Sequence, residues 1–418
     1  MTLYFDPVNK GLFETYKVQT CSGQPLEVTT ASGTQQDAFA RTRVATPTTI
    51  FDSQHRYQEN EKWSNLISGS ASTSYNADQS AVHLTVTTAS GDYVCRETKK
   101  VFPYQPGKSL LVISSFVFAE EQTNLRQRIG YFNTDNGVFL ELKDDELYVV
   151  LRSKSSGSVV ETRVKQSEWN GDKLDGTGNS GLTVDSSKAN IFWSDLEWLG
   201  VGDVRIGFII NGKLILCHTF FNSNKNTTTY MTTAVLPLRQ EIETLGTISS
   251  GATSKQSCNT VISEGGHEPN GITYAVDNGT NTVSLSSAGT TYPVISIRLN
   301  SARLDSVNIL QNIRGIVTSN SNVRWALYKN ATLAGESFTA HERGNIDFDV
   351  SATGISGGIE EAAGYLEKGG TVSLAGLNDY TYQLGRTVSG VSDIFTLAAE
   401  PTSNNTNVLF SMQWTEIV

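Results

Sequence analysis

Residues Ile191–Phe220, IFWSDLEWLGVGDVRIGFIINGKLILCHTF, read as three consecutive strands of a two-layer β structure. Asn and Gly both tolerate the positive φ of a type I′ turn, so Asn211-Gly212 marks a two-residue hairpin. Such a turn sets the register: Ile210 opposes Lys213, Phe208 opposes Ile215, Ile206 opposes Cys217 and Arg205 opposes His218, and directly opposed residues share a face. Val204, Ile206, Phe208, Ile210, Ile215 and Cys217 then make one apolar face. The other mixes Arg205, Gly207 and His218 with Ile209, Leu214, Leu216 and Phe220, too apolar for free exposure and too polar for a dry core. A second sheet, another segment or another subunit is expected to cover it. Arg205, Ile209, Leu214, Leu216, His218 and Phe220 are therefore the candidate interface.

The rest of the chain fits a β protein of this kind. Its 418 residues can hold two or more domains. The 32 basic residues against 42 acidic ones leave a net charge of −10, without the basic stripe that a nucleic-acid-wrapping surface needs. No run of apolar residues is long enough for a membrane-spanning helix, and MTLYFDPVNKGLFETY lacks the pattern of a signal peptide. Cys21, Cys95, Cys217 and Cys258 stand singly, with no CxxC, and read as reduced thiols in a chain made in a cytoplasm.

Residues 1–50 show no sustained period and read as an extended N-terminal anchoring arm that orders only against a partner or against its own domain. From Thr48 short strands recur: Ala81–Thr88, Ser109–Phe118, Val138–Leu142 and Glu146–Arg152, the last two joined by a turn at Lys143–Asp145. Spacing of roughly ten residues per strand indicates a lectin-like β-sandwich over 51–265. Gly, Ser, Thr and Asn dominate Glu243–Gly289, where the inter-domain connection is expected. Beyond it Val294–Leu299, Val307–Val317, Val323–Tyr328 and Val408–Trp414 read as strands of a second sandwich or jelly roll over 266–418. Ile359–Lys368, IEEAAGYLEK, carries a helical stripe and is expected to be one short helix.

The chemistry-bearing residues are few. Asp195 and Glu197, at i and i+2, project from one strand face roughly 7 Å apart, within the range for a glycosidase carboxylate pair. Trp193 and Trp198 flank them, so Trp193, Asp195 and Glu197 are the candidate glycan contact. The third carboxylate of a laminarinase-like ExDxxE pattern is missing, because Leu199, Gly200, Val201 and Gly202 stand where it belongs. Asn170–Gly181, NGDKLDGTGNSG, holds Asp172, Asp175 and Asn179 among glycines but fails EF-hand spacing. The five histidines form no HxxxH or HxH pair. Without a GxSxG, P-loop or GxGxxG signature, the expectation is no enzyme, no cofactor and no metal.

Seven strings between Asp37 and Gly266 carry a resemblance: Asp37–Trp63, Val101–Ile113, Leu125–Phe132, Trp169–Gly176, Phe192–Phe220, Thr229–Arg239 and Cys258–Gly266. This part of the chain resembles a family of virion structural proteins of tailed bacteriophages. The resemblance implies a capsid-attached, neck or tail appendage with a lectin-like sandwich, assembled as a homo-oligomer. The expected function is a non-enzymatic virion component, either head decoration or fibre or tail appendage, whose partners are other virion proteins, two further copies of the chain and a host surface glycan. The alternatives are a receptor-binding lectin-like tail fibre and a glycan depolymerase working through Asp195 and Glu197.

Overall fold

The computed structural model describes residues 45–417, apart from 269, 320, 369–370 and 376–379, with the backbone alone at 371–375. The expected arm lies outside the described residues up to position 44, as does Cys21. The described part is nearly all β, in antiparallel sandwiches.

The first sandwich contains β1 (Thr48–Ser53), β2 (Trp63–Ser68), β3 (Ser72–Asn76), β4 (Ala81–Val86), β5 (Tyr93–Thr98), β6 (Leu110–Val117), β7 (Leu125–Phe132), β8 (Gly137–Lys143), β9 (Glu146–Ser153), β10 (Val160–Lys165), β11 (Asn190–Leu196), β12 (Val204–Ile210), β13 (Lys213–Phe220), β14 (Leu238–Thr244) and β15 (Ala252–Ser263). One eight-stranded sheet runs β13-β12-β11-β6-β15-β4-β3, with β1 also on β15; a seven-stranded sheet runs β10-β9-β8-β7-β14-β5-β2. Alternation places Val112, Phe116, Phe192 and Phe208 of the first against Ile129, Tyr131, Leu140 and Val149 of the second, all almost fully buried. The Lys143–Asp145 turn forms as expected: Asp144 and Asp145 take φ of 49° and 66°, and Lys143 opposes Glu146. Thr48 opposes Ser263, so residues 48–50 already belong to the sandwich.

The polar stretch Glu243–Gly289 is only in part a connection, because its first half contains β15. β15 crosses the middle of the eight-stranded sheet, and only 264–271 links it to the next strand, Ile272–Asp277. Small polar residues are usable there because this end of the sandwich has a hydrogen-bonded interior. The buried Arg96 guanidinium donates to Gln256 Oε1 at 2.7 Å, to Asn65 Oδ1 at 2.7 Å and to Glu59 Oε1 at 2.5 Å, while Gln240 Nε2 donates to Ser254 Oγ at 2.7 Å. A buried polar side chain with partners costs little, so β15 needs no apolar repeat at Ser254 and Gln256.

The second sandwich packs the sheet Ile272–Asp277, Thr406–Ile417, Val307–Val317, Thr371–Ala375 against the sheet Thr339–Ala340, Ile346–Asp349, Tyr292–Leu299, Ile394–Pro401, Val323–Lys329, Ile359–Leu366. Trp325, Phe395, Phe410, Met412 and Trp414 fill its core. The helix expected at Ile359–Lys368 is a strand, with Gly364 opposite Trp325. A Cβ at 364 would sit 2.7 Å from the Trp325 Nε1 atom. The glycine that weakens a helix here admits an indole, and an unpaired neighbouring strand outweighs local helix propensity. Val101 of the first sandwich packs with Val307 and Ile309 of the second. No helix among the described residues is long and apolar enough to cross a membrane.

Candidate functional site

Asn211 and Gly212 take φ of 54° and 73°, and the hairpin opens with the expected pairs Ile210–Lys213 and Phe208–Ile215. After Gly207–Leu216 the register slips by one. Ile206 opposes His218, Arg205 opposes Thr219 and Val204 opposes Phe220, correcting the expected Ile206–Cys217 and Arg205–His218 pairs. Cys217 is the extra residue of a β-bulge. Gly207 marks the spot: a Cβ there would collide with the Ile215 carbonyl and lie 2.9 Å from Trp193 Nε1. A glycine inside an otherwise apolar strand is the sequence signal of this kink.

The slip moves two of the candidate interface residues. Phe220 joins the sandwich core, and His218 is buried on the same side, its ring edge-on to Phe220 at 4.6 Å. Its Nδ1 accepts from the Asn170 amide at 3.3 Å. Burial pulls the imidazole down to about 4, so it is neutral at pH 7. Arg205, Ile209, Leu214 and Leu216 stay on the outer face, where Leu214 is 43% and Leu216 41% exposed. Ile191 at 39% exposure, and the half-buried Leu111, Ile113 and Ile262, extend that apolar face across β11, β6 and β15.

Trp193 does not present its ring as a sugar platform. Only 4% exposed, it lies across Gly207 and its Nε1 donates to the Phe208 carbonyl at 3.3 Å. Trp198 packs edge-on against Tyr104 at 5.9 Å. Asp195 and Glu197 do come together, with Arg205, Asp203, Lys108 and Leu216, around a depression of about 590 Å³ at the end of β11 and β12. Glu197 lies past the end of β11, where its amide donates to the Asp203 carbonyl at 3.1 Å, and its side chain is exposed. Asp195 is buried and both of its oxygens face Arg205, with Nε at 3.2 Å and Nη2 closer still. That hydrogen bond holds the guanidinium charged even as burial opposes it. A carboxylate clamped in this way is poorly placed to shuttle a proton, which needs a free oxygen aimed at the substrate.

The Asn170–Gly181 loop uses its acids internally. The Asp172 oxygens accept from the Leu174 amide at 2.9 Å and the Ser180 amide at 2.6 Å, and Asp175 accepts from the Thr177 amide at 2.8 Å. Burial alone would raise the Asp172 carboxyl, but these amides outweigh it and hold the group below its ordinary value.

Sequence reasoning missed the outer face of the seven-stranded sheet. Neighbours across and along the strands there set Arg126 beside Glu243, Arg128 beside Glu141 and Glu241, Arg152 beside Glu161, Arg163 beside Glu141 and Glu161, and Arg239 beside Glu97 and Glu241. Arg128, Arg239 and Glu241 are almost fully buried, and Glu141 entirely. Burial pushes the Glu241 carboxyl up, but Arg239 and Arg128 outweigh it and keep the group ionised. The legible signal was charge at alternate positions of LRQRIGYF and LRQEIET, which period 2 puts on one face. The pairs neutralise one another, so the ladder ties strands together rather than offering a field to a ligand.

No known family profile matches the chain, and no curated protein does. Similar solved structures include an endo-β-1,4-glucuronan lyase from the fungus Trichoderma reesei, at 12% identity over 51% of this chain and 95% of that one, with a TM-score of 0.33. The CBM2 module of the evolved Dit of Lactobacillus casei BL23 phage J-1 is 6% identical over 54% of this chain and 100% of that one, with a TM-score of 0.36. A carbohydrate esterase of a Shiga toxin-encoding bacteriophage is 10% identical over 52% and 99%, with a TM-score of 0.29. At these TM-scores none of the three carries an argument about what this chain binds or does.

Proposed function

We propose that this chain is a non-enzymatic structural component of a tailed-phage virion, a head decoration or fibre or a tail appendage, which assembles as a homotrimer and docks on other virion proteins. The observation that carries this reading is the apolar outer face of the eight-stranded sheet, where Leu214, Leu216 and Ile191 are each about 40% exposed beside Ile209. Neighbouring exposed leucines on one sheet face mark a surface that a partner covers, and closed symmetry is the usual way for copies of one chain to cover it. The virion resemblance of residues 37–266 supplies the context. Engagement of Asp195 by Arg205 supports the non-enzymatic part. Light scattering at micromolar concentration should give a trimer, and Leu214→Asp with Leu216→Asp should give a monomer of unchanged circular dichroism. A wild-type monomer, together with a map of purified particles lacking the chain, would overturn the proposal.

A further inference from the structure

The two sandwiches enclose a cleft of about 500 Å³ between β1, the segment after β5, the end of Val323–Lys329 and the turn Tyr380–Tyr382. This volume lies within the roughly 300–1,000 Å³ of small-ligand sites, which favour domain boundaries. Its lining brings together four lysines from distant parts of the chain, Lys62, Lys99 and Lys100 from the first sandwich and Lys329 from the second. Lys329 is paired with Asp393 at 3.2 Å. The other three have no carboxylate within 4.0 Å among the described residues. Lys62 Nζ donates to the Asp52 carbonyl at 2.8 Å and lies 5.3 Å from the centre of the Phe51 ring. Lys100 Nζ donates to the Tyr380 and Thr381 carbonyls at 2.5 and 3.0 Å.

Burial, then the charge of Lys329, lowers the Lys100 ammonium to about 8, although Glu361 and Asp393 work the other way. Charges of one sign held together and partly desolvated are costly unless a counter-charge arrives. Asp52, Glu61 and Glu361 also line the cleft and offset the lysines, though none of the three reaches Lys62, Lys99 or Lys100 within 4.0 Å. The remaining lining supplies the half-buried Tyr380 ring and the amides of Asn60 and Asn330, while Phe51, Phe102 and Gln383 form its almost fully buried floor. No glycine lines the cleft and no α-helix among the described residues points into it, so the devices that usually cradle phosphate are missing.

From this cluster we infer that the cleft binds an anionic saccharide, a sugar bearing carboxylate or sulfate. Its charge meets Lys62, Lys99 and Lys100, its hydroxyls meet the amides of Asn60 and Asn330, and the apolar face of the sugar lies on the Tyr380 ring. A ring face and cations placed together in this way suit a ligand that is at once apolar on one side and charged on its rim. The site is separate from the Leu214–Leu216 face and stands whether or not that face makes a trimer.

Calorimetry on the full chain tests the inference, with tetragalacturonate and a sulfated tetrasaccharide as the two anionic probes, maltotetraose as the neutral one and inorganic sulfate as the ion alone. At least one anionic tetrasaccharide should bind, more weakly as salt rises, and maltotetraose should not. Lys62→Ser combined with Lys99→Ser should weaken binding by about tenfold or more, the scale of losing charge-assisted contacts. Glu361→Gln should strengthen it, a gain that misfolding cannot mimic. Leu214→Asp with Leu216→Asp should leave it unchanged, which separates this site from assembly. Absence of binding by both anionic probes, equal binding of maltotetraose, full reproduction by inorganic sulfate, or indifference to all the lysine and glutamate changes would overturn the inference.

Discussion

The Arg386 guanidinium lies 2.5 Å from the Glu97 carboxylate and so joins a turn of the second sandwich to the outer face of the first. Glu97 also meets Arg239 at 3.2 Å, and the Arg386 amide donates to the Lys99 carbonyl at 2.7 Å. Burial pushes the Glu97 carboxyl up, against the pull of Arg386 and Arg239. Arg386→Ala should therefore destabilise the protein by about 3 kcal/mol, because it leaves a buried carboxylate with one partner instead of two. Urea denaturation measures the loss, and adding Glu97→Gln in the same chain should recover part of it. An effect below about 0.5 kcal/mol would mean that the pair is not formed in solution.

The bulge in β13 makes a prediction that the unbroken hairpin reverses. Phe220→Ala should cost about 3 kcal/mol, since the ring sits in the core. In the isolated chain Leu216→Ala should cost less than about 1 kcal/mol, because that side chain is 41% exposed. Similar costs at both positions would restore the register in which they share the outer face.

His55 and His218 are both held at about 4 by burial, which for His55 acts with the nearby Arg96 charge. In the unfolded chain each would titrate near 6.5. Between these values the unfolded state binds more protons, so stability is complete above about pH 6.5 and falls as the pH drops toward about 4. Asp172, held low, adds its loss only below the ordinary carboxylate range. His218→Phe should flatten the slope of melting temperature between pH 6.5 and pH 4, where these histidines take up protons. An unaltered slope in that variant would show that the imidazole is solvated.

Asp195→Asn together with Glu197→Gln should leave any polysaccharide cleavage at the background of the unaltered chain, followed by release of reducing ends. The same change should lower stability by less than about 1 kcal/mol, because Arg205 is about half exposed and its ion pair is screened. Cleavage by the wild type that vanishes in the folded double variant would make Asp195 and Glu197 a catalytic pair.

Local chemistry was enough to read the all-β class, the two hairpin turns and the strand content of 191–220. Period-2 alternation and residues that accept positive φ act within a few positions, and nothing distant overrode them at Asn211-Gly212 or at Asp144-Asp145. The apolar face of Val204, Ile206 and Phe208 was legible for the same reason. Four of the six candidate interface residues were legible with it. Arg205, Ile209, Leu214 and Leu216 face outward as read, but His218 and Phe220 turn inward because one extra residue in a strand exchanges its two faces.

Tertiary structure alone decided the rest. Ile359–Leu366 became a strand because Val323–Lys329 had a free edge and Trp325 needed the space at Gly364. β15 became a central strand because Arg96 and Gln240 meet its polar side chains inside the sandwich. The lysine cleft was invisible to any reading along the chain, since Lys62, Lys100 and Lys329 approach one another only when the two sandwiches dock. Backbone propensity and face periodicity are properties of neighbouring residues and can be read in order. Burial of a polar group, the exchange of a strand's faces and the convergence of like charges depend on partners far away in sequence, which only the folded chain supplies.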